Sequence, residues 1–268
     1  MSTLKKALEK AKRERLHTPE PAPNPEPARS AGQFAYSRTP VVRVPMERLL
    51  ASRLFAVSDD NPYADRFKLL RTRVLQTTRL RGWNTIQVSG FGANEGKSLL
   101  AANLAVALAR DTRQTTLLVD LDFRRPSLHE LFWLGDRIKG LDSFFKGESA
   151  LEELFISPGI EKLTILPTVR PMARSAEIMG SPAMEAFIRE IKQRYDDRTI
   201  IFDTPGMSVC PDPLIVSEYM DCVVLVARAG TTRKDAVAEA LKVIPPDKLL
   251  GIVLNDTASG ESGQYGYA

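Results

Sequence analysis

Six short apolar runs constrain this chain more than any other feature. They lie at residues 85–89, 116–120, 163–166, 199–203, 222–227 and 250–254, each rich in Ile, Leu and Val. Helical patterns stand between them, notably at 98–109, 181–195 and 233–244, and a further one precedes the first run at 63–80. Strands that are apolar on both faces are buried on both faces, and strands alternating with helices build a parallel sheet covered on each side. The expected fold class is therefore α/β, a three-layer α/β/α body. Right-handed crossovers bring the C-terminal ends of the strands, and any ligand, to one edge of the sheet. In 63–80, Phe67, Leu70, Val74 and Leu75 share one side; Asn61 is the expected N-cap, with Pro62 at the first helical position.

The flanks read differently. Residues 3–16 are good helix formers with Leu4, Ala7, Leu8 and Ala11 on one narrow face, which suits a solvated helix, a helix that docks on a membrane-bound partner, or a weak surface anchor. Residues 17–46 hold seven prolines, which forbid helix and favour extended chain. The expected division is a basic N-terminal helix at 1–16, a Pro-rich linker at 17–55, a folded body at 56–257 and a Gly-rich, flexible tail at 258–268 carrying Tyr265 and Tyr267. Residues 1–55 contain 11 Lys/Arg and 5 Asp/Glu, a net of +6, and the remainder 26 and 28, a net of −2. The positive charge thus belongs to the N-terminal segment, and the body gives no electrostatic reason to expect nucleic acid as a partner. No apolar run approaches the ~20 residues that span a bilayer, and no secretory pattern opens the chain. With two cysteines, Cys210 and Cys222, expected as free thiols, a cytoplasmic location follows.

Three strand ends carry chemistry. The first run leads through Gly90, Phe91, Gly92, Ala93, Asn94, Glu95 and Gly96 to Lys97, Ser98 and Leu99, at the start of a helix. A Gly-rich turn between strand and helix presents backbone N–H groups to phosphates, Lys97 adds a point charge, and the Ser98 hydroxyl is placed to ligate Mg²⁺. Phe91 stands where such loops usually have glycine, and Asn94 tolerates left-handed backbone. The second strand ends in Asp120 and Asp122, which alternation along an extended chain puts on one side. One can position the metal while the other accepts a hydroxyl proton; the plainer reading pairs them with Arg124 and Arg125. The fourth run ends in Asp203, a carboxylate beside the metal in the Walker B arrangement.

Together these motifs resemble the bacterial tyrosine autokinases (BY-kinases), the cytoplasmic kinases of capsule and exopolysaccharide export, whose fold is similar to the MinD/ParA branch of P-loop NTPases. The resemblance covers roughly residues 60–268. It is carried by 119–126, matching the family's Asp-x-Asp-x-Arg-Arg-Pro, by Phe202, Asp203, Thr204 and Pro205, and by 249–255, the family's last strand. MinD/ParA ATPases have a lysine early in the loop; here that position is Gly92, which favours the kinase branch. The Lys/Glu-rich start and the stretch 195–203 resemble the exosortase (PEP-CTERM) associated subgroup.

The resemblance implies ATP and Mg²⁺ as cofactors. Catalysis would rest on Lys97, Asp120, Asp122 and Asp203, and metal binding on Ser98, Asp120 and Asp203. Nucleotide contacts would come from 92–99 (Gly92 to Leu99) and, near the base, from Asn255. Tyr265 and Tyr267 would be phosphorylated in trans, and Asp65, Lys68 and Arg71 would support a homo-oligomer at the family's Glu-x2-Arg-x2-Arg positions. The activator would be a transmembrane polysaccharide co-polymerase, a chain-length determinant protein, making membrane association indirect. The other function in view is a P-loop ATPase, nucleotide switch or scaffold that regulates polysaccharide assembly without phosphorylating tyrosine.

Overall fold

The computed structural model describes residues 39–111, 115–193 and 198–257. The expected helix at 1–16, the Pro-rich segment up to residue 38 and the tail with Tyr265 and Tyr267 lie outside the described residues. The described elements are, in chain order, α1 (Met46–Ala51), a 3₁₀ turn (Phe55–Val57), α2 (Ala64–Arg81), β1 (Thr85–Gly90), α3 (Lys97–Ala109), β2 (Thr115–Asp120), α4 (Leu128–Leu131), α5 (Leu141–Phe145), a second 3₁₀ turn (Leu151–Glu153), β3 (Leu163–Leu166), α6 (Ser175–Met179), α7 (Pro182–Gln193), β4 (Arg198–Gly206), α8 (Asp212–Ser217), β5 (Cys222–Arg228), α9 (Lys234–Val243) and β6 (Leu249–Asn255).

All six expected strands form one parallel sheet in the order β3-β2-β4-β1-β5-β6. Strand alternation sorts the core into layers. Ile86, Val88, Leu118, Ile201, Val224 and Val226 face the helices α2 and α3. On the opposite face, Leu117, Val119, Ile200 and Phe202 pack on α7 through Met184, Phe187, Ile188 and Ile191. Val223, Leu225 and Ala227 pack on α9 through Ala240. The helix α3 is buried nearly all round, which its run of Ala and Leu allows: small side chains let it sit close to the sheet, and both residue types favour helix.

Two boundaries differ from expectation. The linker ends earlier: Val41 forms a parallel bridge with Ser157, and Leu49 and Leu54 are buried against α3. The density of prolines masked this short apolar set, and Pro45 in fact precedes α1. The helix α2 starts later than Asn61. The Asn61 Oδ1 accepts a hydrogen bond from the Tyr63 N–H (2.9 Å), forming a turn that leads into the helix at Ala64. Cys210 and Cys222 are free, as expected, and both are buried. Among the described residues, no helix is long and apolar enough to cross a membrane.

Candidate active site

The site lies where the sheet order switches direction, at the C-terminal ends of β1, β2 and β4. Residues 91–96 connect β1 to α3. Asn94 has φ +57° and Gly96 φ +88°, so the loop takes left-handed backbone at two points, one of them on the residue type expected to tolerate it. Gly96 is held to glycine twice over: a Cβ there would lie 2.2 Å from Asn255 Nδ2. Gly96→Ala is expected to destabilise the fold by about 2 kcal/mol, through strain and through displacement of Asn255, as measured by denaturant unfolding.

The loop is held in shape from inside. The Glu95 carboxylate, 3% exposed, turns inward; its Oε2 accepts from the N–H groups of Phe91 (2.7 Å) and Gly92 (2.8 Å), and its Oε1 from the Thr232 hydroxyl (2.6 Å). The Asn255 amide donates to the Glu95 carbonyl (3.0 Å). Glu95 and Asn255 were expected as nucleotide contacts; the structure commits both side chains to the loop itself. Phe91, in the unusual position, buries its ring among Val223, Leu225 and Ala227 and ties the loop to the sheet. The sequence signal for this clamp was the carboxylate three and four residues after two glycine-flanked amides, a spacing that reads as ordinary polarity.

The other edge of the loop abuts β4. Met207 N–H donates to Gly90 O (2.9 Å) and Ser208 N–H to Phe91 O (3.0 Å). A Cβ on Gly206 would lie 2.4 Å from Gly92 O, so glycine at 206 is what lets the two backbones meet. Lys97 is nearly buried, and its ammonium donates to Gly92 O (2.6 Å), bridging the loop.

The carboxylates differ sharply in surroundings. Asp120 and Asp203 are opposite each other in the β2–β4 register, and both are fully buried. Asp120 Oδ2 accepts from the N–H groups of Ser127 (3.1 Å) and Leu128 (3.0 Å), and Oδ1 from that of Asp122 (3.1 Å). Burial and the facing Asp203 hold the Asp120 pKa well above the ordinary value. Asp203 is pushed up to about 7, first by burial, while the nearby Ser98 hydroxyl and the Lys97 charge oppose the shift. Among the described residues neither Asp203 oxygen has a well-formed hydrogen bond. Asp122 lies beyond the end of β2, so strand alternation does not carry through to it. Its Oδ1 accepts from Arg125 N–H (2.9 Å), its pKa is raised chiefly by burial, and it lines the cleft. Arg124 pairs with buried Asp212 (3.4 Å) rather than with Asp120 or Asp122, joining the loop after β2 to the start of α8.

An open cleft of about 790 Å³ runs over this edge, lined among others by Ala93, Asn94, Gly96, Lys97, Ser98, Leu99 and Asp122. A buried carboxylate with two unsatisfied oxygens is costly unless a cation or proton serves it. Ser98 and Asp203 therefore fit a Mg²⁺ ion, which takes few protein ligands and keeps water and phosphate oxygens. Among the described residues, no group of three His, Cys, Asp or Glu forms an all-protein metal cage. Asp65, Lys68 and Arg71 lie away from the cleft on α2. The Lys68 ammonium is 3.0 Å from both Asp65 and Asp59, and Arg71 donates to Ala107 O (3.2 Å).

No family model matches the chain. Among individual proteins, it is 30% identical over 206 residues to the tyrosine-protein kinase YwqD of Bacillus subtilis, covering 76% of this chain and 85% of YwqD. It is 28% identical over 227 residues to the succinoglycan biosynthesis transport protein ExoP of Rhizobium meliloti, covering 83% of this chain but only 28% of ExoP. Among solved structures, the chimerical protein CapA2B2 superposes with a TM-score of 0.71 at 27% identity, over 82% of this chain and 94% of that one. The loop ending at Lys97 and Ser98, the Asp120/Asp122 strand end and Asp203 thus occur in a chain that matches YwqD over most of both lengths, and this chain belongs to the bacterial tyrosine-protein kinase family.

Proposed function

We propose that the chain is an ATP-dependent tyrosine autokinase that phosphorylates Tyr265 and Tyr267 of a neighbouring copy and thereby regulates exopolysaccharide synthesis or export. The observation that carries this reading is the pair of unsatisfied Asp203 oxygens beside Ser98 and Lys97, with Asp122 on the same cleft. Bound Mg²⁺ neutralises charge on the β- and γ-phosphate oxygens. Ser98 and Asp203 would hold that ion, directly or through water, and the loop amides with Lys97 would hold the phosphates. Asp120, its oxygens taken up by three backbone N–H groups, keeps the loop after β2 in place. Asp122 lines the cleft and receives the phenol proton as the tyrosine oxygen bonds to the γ-phosphorus and the bond to ADP breaks. Its raised pKa brings it nearer the range useful for a base.

Asp65, Lys68 and Arg71 support the contact between copies, and a transmembrane polysaccharide co-polymerase serves as activator at the inner membrane face. The name of ExoP supports the polysaccharide context. To test transfer between copies, full-length Lys97→Met protein is mixed with full-length Tyr265→Phe/Tyr267→Phe protein and labelled ATP·Mg²⁺. Label on the Lys97→Met copy is expected. Retention of ATP with no label on either tyrosine would favour a nucleotide switch.

A further inference from the structure

Besides the phosphate loop, Lys97 and Ser98, the cleft is lined by Asp122, Ser52, Glu130 and Leu131. Ser52 is in turn bonded to an exposed aromatic. Trp133 is 49% exposed, although the preceding Phe132 is fully buried. Its backbone is left-handed (φ +50°), uncommon for a bulky residue, and turns the chain so that Phe132 enters the core while Trp133 does not. The indole is nonetheless fixed: Nε1–H donates to Ser52 Oγ (2.9 Å), and the exposed Arg48 guanidinium lies 5.2 Å from the ring centroid. A large aromatic held rigidly at the rim of a reaction cleft offers contact area with little ordering cost.

We propose that Trp133, Ser52 and Arg48 form the shelf on which the tyrosine-bearing segment 259–268 of a second copy docks. This rests on the autokinase reading. The shelf shares Ser52 with the cleft that holds Asp122. Segment 259–268 complements it: Tyr265 and Tyr267 are its only aromatics, Glu261 its only charged side chain, and it has no cation to oppose Arg48. Tyrosine stacks on indole, and small Gly and Ser residues let the chain lie flat.

The test uses the full chain carrying Trp83→Phe, which leaves Trp133 as its only tryptophan, with Tyr265→Ser and Tyr267→Ser to remove its own docking residues. A synthetic peptide of residues 259–268 is titrated in while Trp133 emission is followed. A saturable shift is expected, absent for the peptide with both tyrosines replaced by serine. Arg48→Ala should weaken binding about fivefold. No shift, or equal shifts with the two peptides, overturns the proposal. In the otherwise unaltered chain, Trp133→Ala should raise KM for the peptide about tenfold and leave KM for ATP in place. If the peptide is phosphorylated with unchanged KM, the shelf is wrong and the kinase reading stands. If the unaltered chain phosphorylates no peptide, the kinase reading fails, and the emission titration still decides the shelf.

Discussion

Lys97→Met is expected to lower tyrosine phosphorylation by at least about 10³-fold while leaving the protein folded. The Lys97 ammonium reaches into the loop at Gly92 O, and removing a preorganised charge from a phosphoryl-transfer site typically costs two to three or more orders of magnitude. Its ammonium bridges to Gly92 O, so the aliphatic stem already follows the loop, and Met fills that path with similar volume. Circular dichroism should match that of the wild type, and the loss should appear in kcat. Near-normal phosphorylation by the variant would place the transfer elsewhere.

Asp203→Asn is expected to abolish phosphorylation and, at the same time, to stabilise the nucleotide-free protein at pH 8. In the fold the Asp203 pKa rises from 3.8 to about 7. The folded state thus binds this proton more tightly than the unfolded state. The resulting stability is fully present below pH ~4 and is lost as pH rises through ~7. At pH 8 the ionised, unpaired carboxylate therefore destabilises the fold by on the order of 2–4 kcal/mol. Asparagine removes the charge, so the variant's denaturant midpoint should exceed that of the wild type at pH 8 and differ little at pH 4. ATP·Mg²⁺ should close this gap by stabilising the wild type selectively. A variant less stable than the wild type at pH 8 would show that Asp203 is satisfied within the protein and not held for a cation.

Both predictions depend on features that differ in how far the sequence reveals them. All six strands were legible because short β-branched and Leu-rich runs leave few other readings; β1 to β5 are buried on both faces, while β6 is partly exposed, and the observed strands extend the expected ones by at most a few residues at either end. Lys97, Ser98 and Asp203 were legible because strand ends and a helix start fix their places. The left-handed backbone at Asn94 falls on a residue type that tolerates it. Three things were not legible. The inward turn of Glu95 depends on Thr232 and on amides that face it only once β5 lies beside β1. The division of labour between Asp120 and Asp122 depends on where β2 ends, a boundary that one residue shifts. The docking of 41–55 onto the body depends on Leu49 and Leu54 finding the flank of α3, a long-range contact hidden under the proline count. Trp133 had no sequence signal; its exposure and its tie to Ser52 arise from chain segments 81 residues apart.

The central claim is that the Lys97, Ser98 and Asp203 site delivers phosphate to Tyr265 and Tyr267. It is tested most directly by incubating the full-length protein with ATP·Mg²⁺ and the cytoplasmic segment of a transmembrane co-polymerase, then mapping phosphate by mass spectrometry. Phosphate on Tyr265 and Tyr267, absent from the Lys97→Met control, is the predicted result. Bound ATP with both tyrosines unmodified would contradict it.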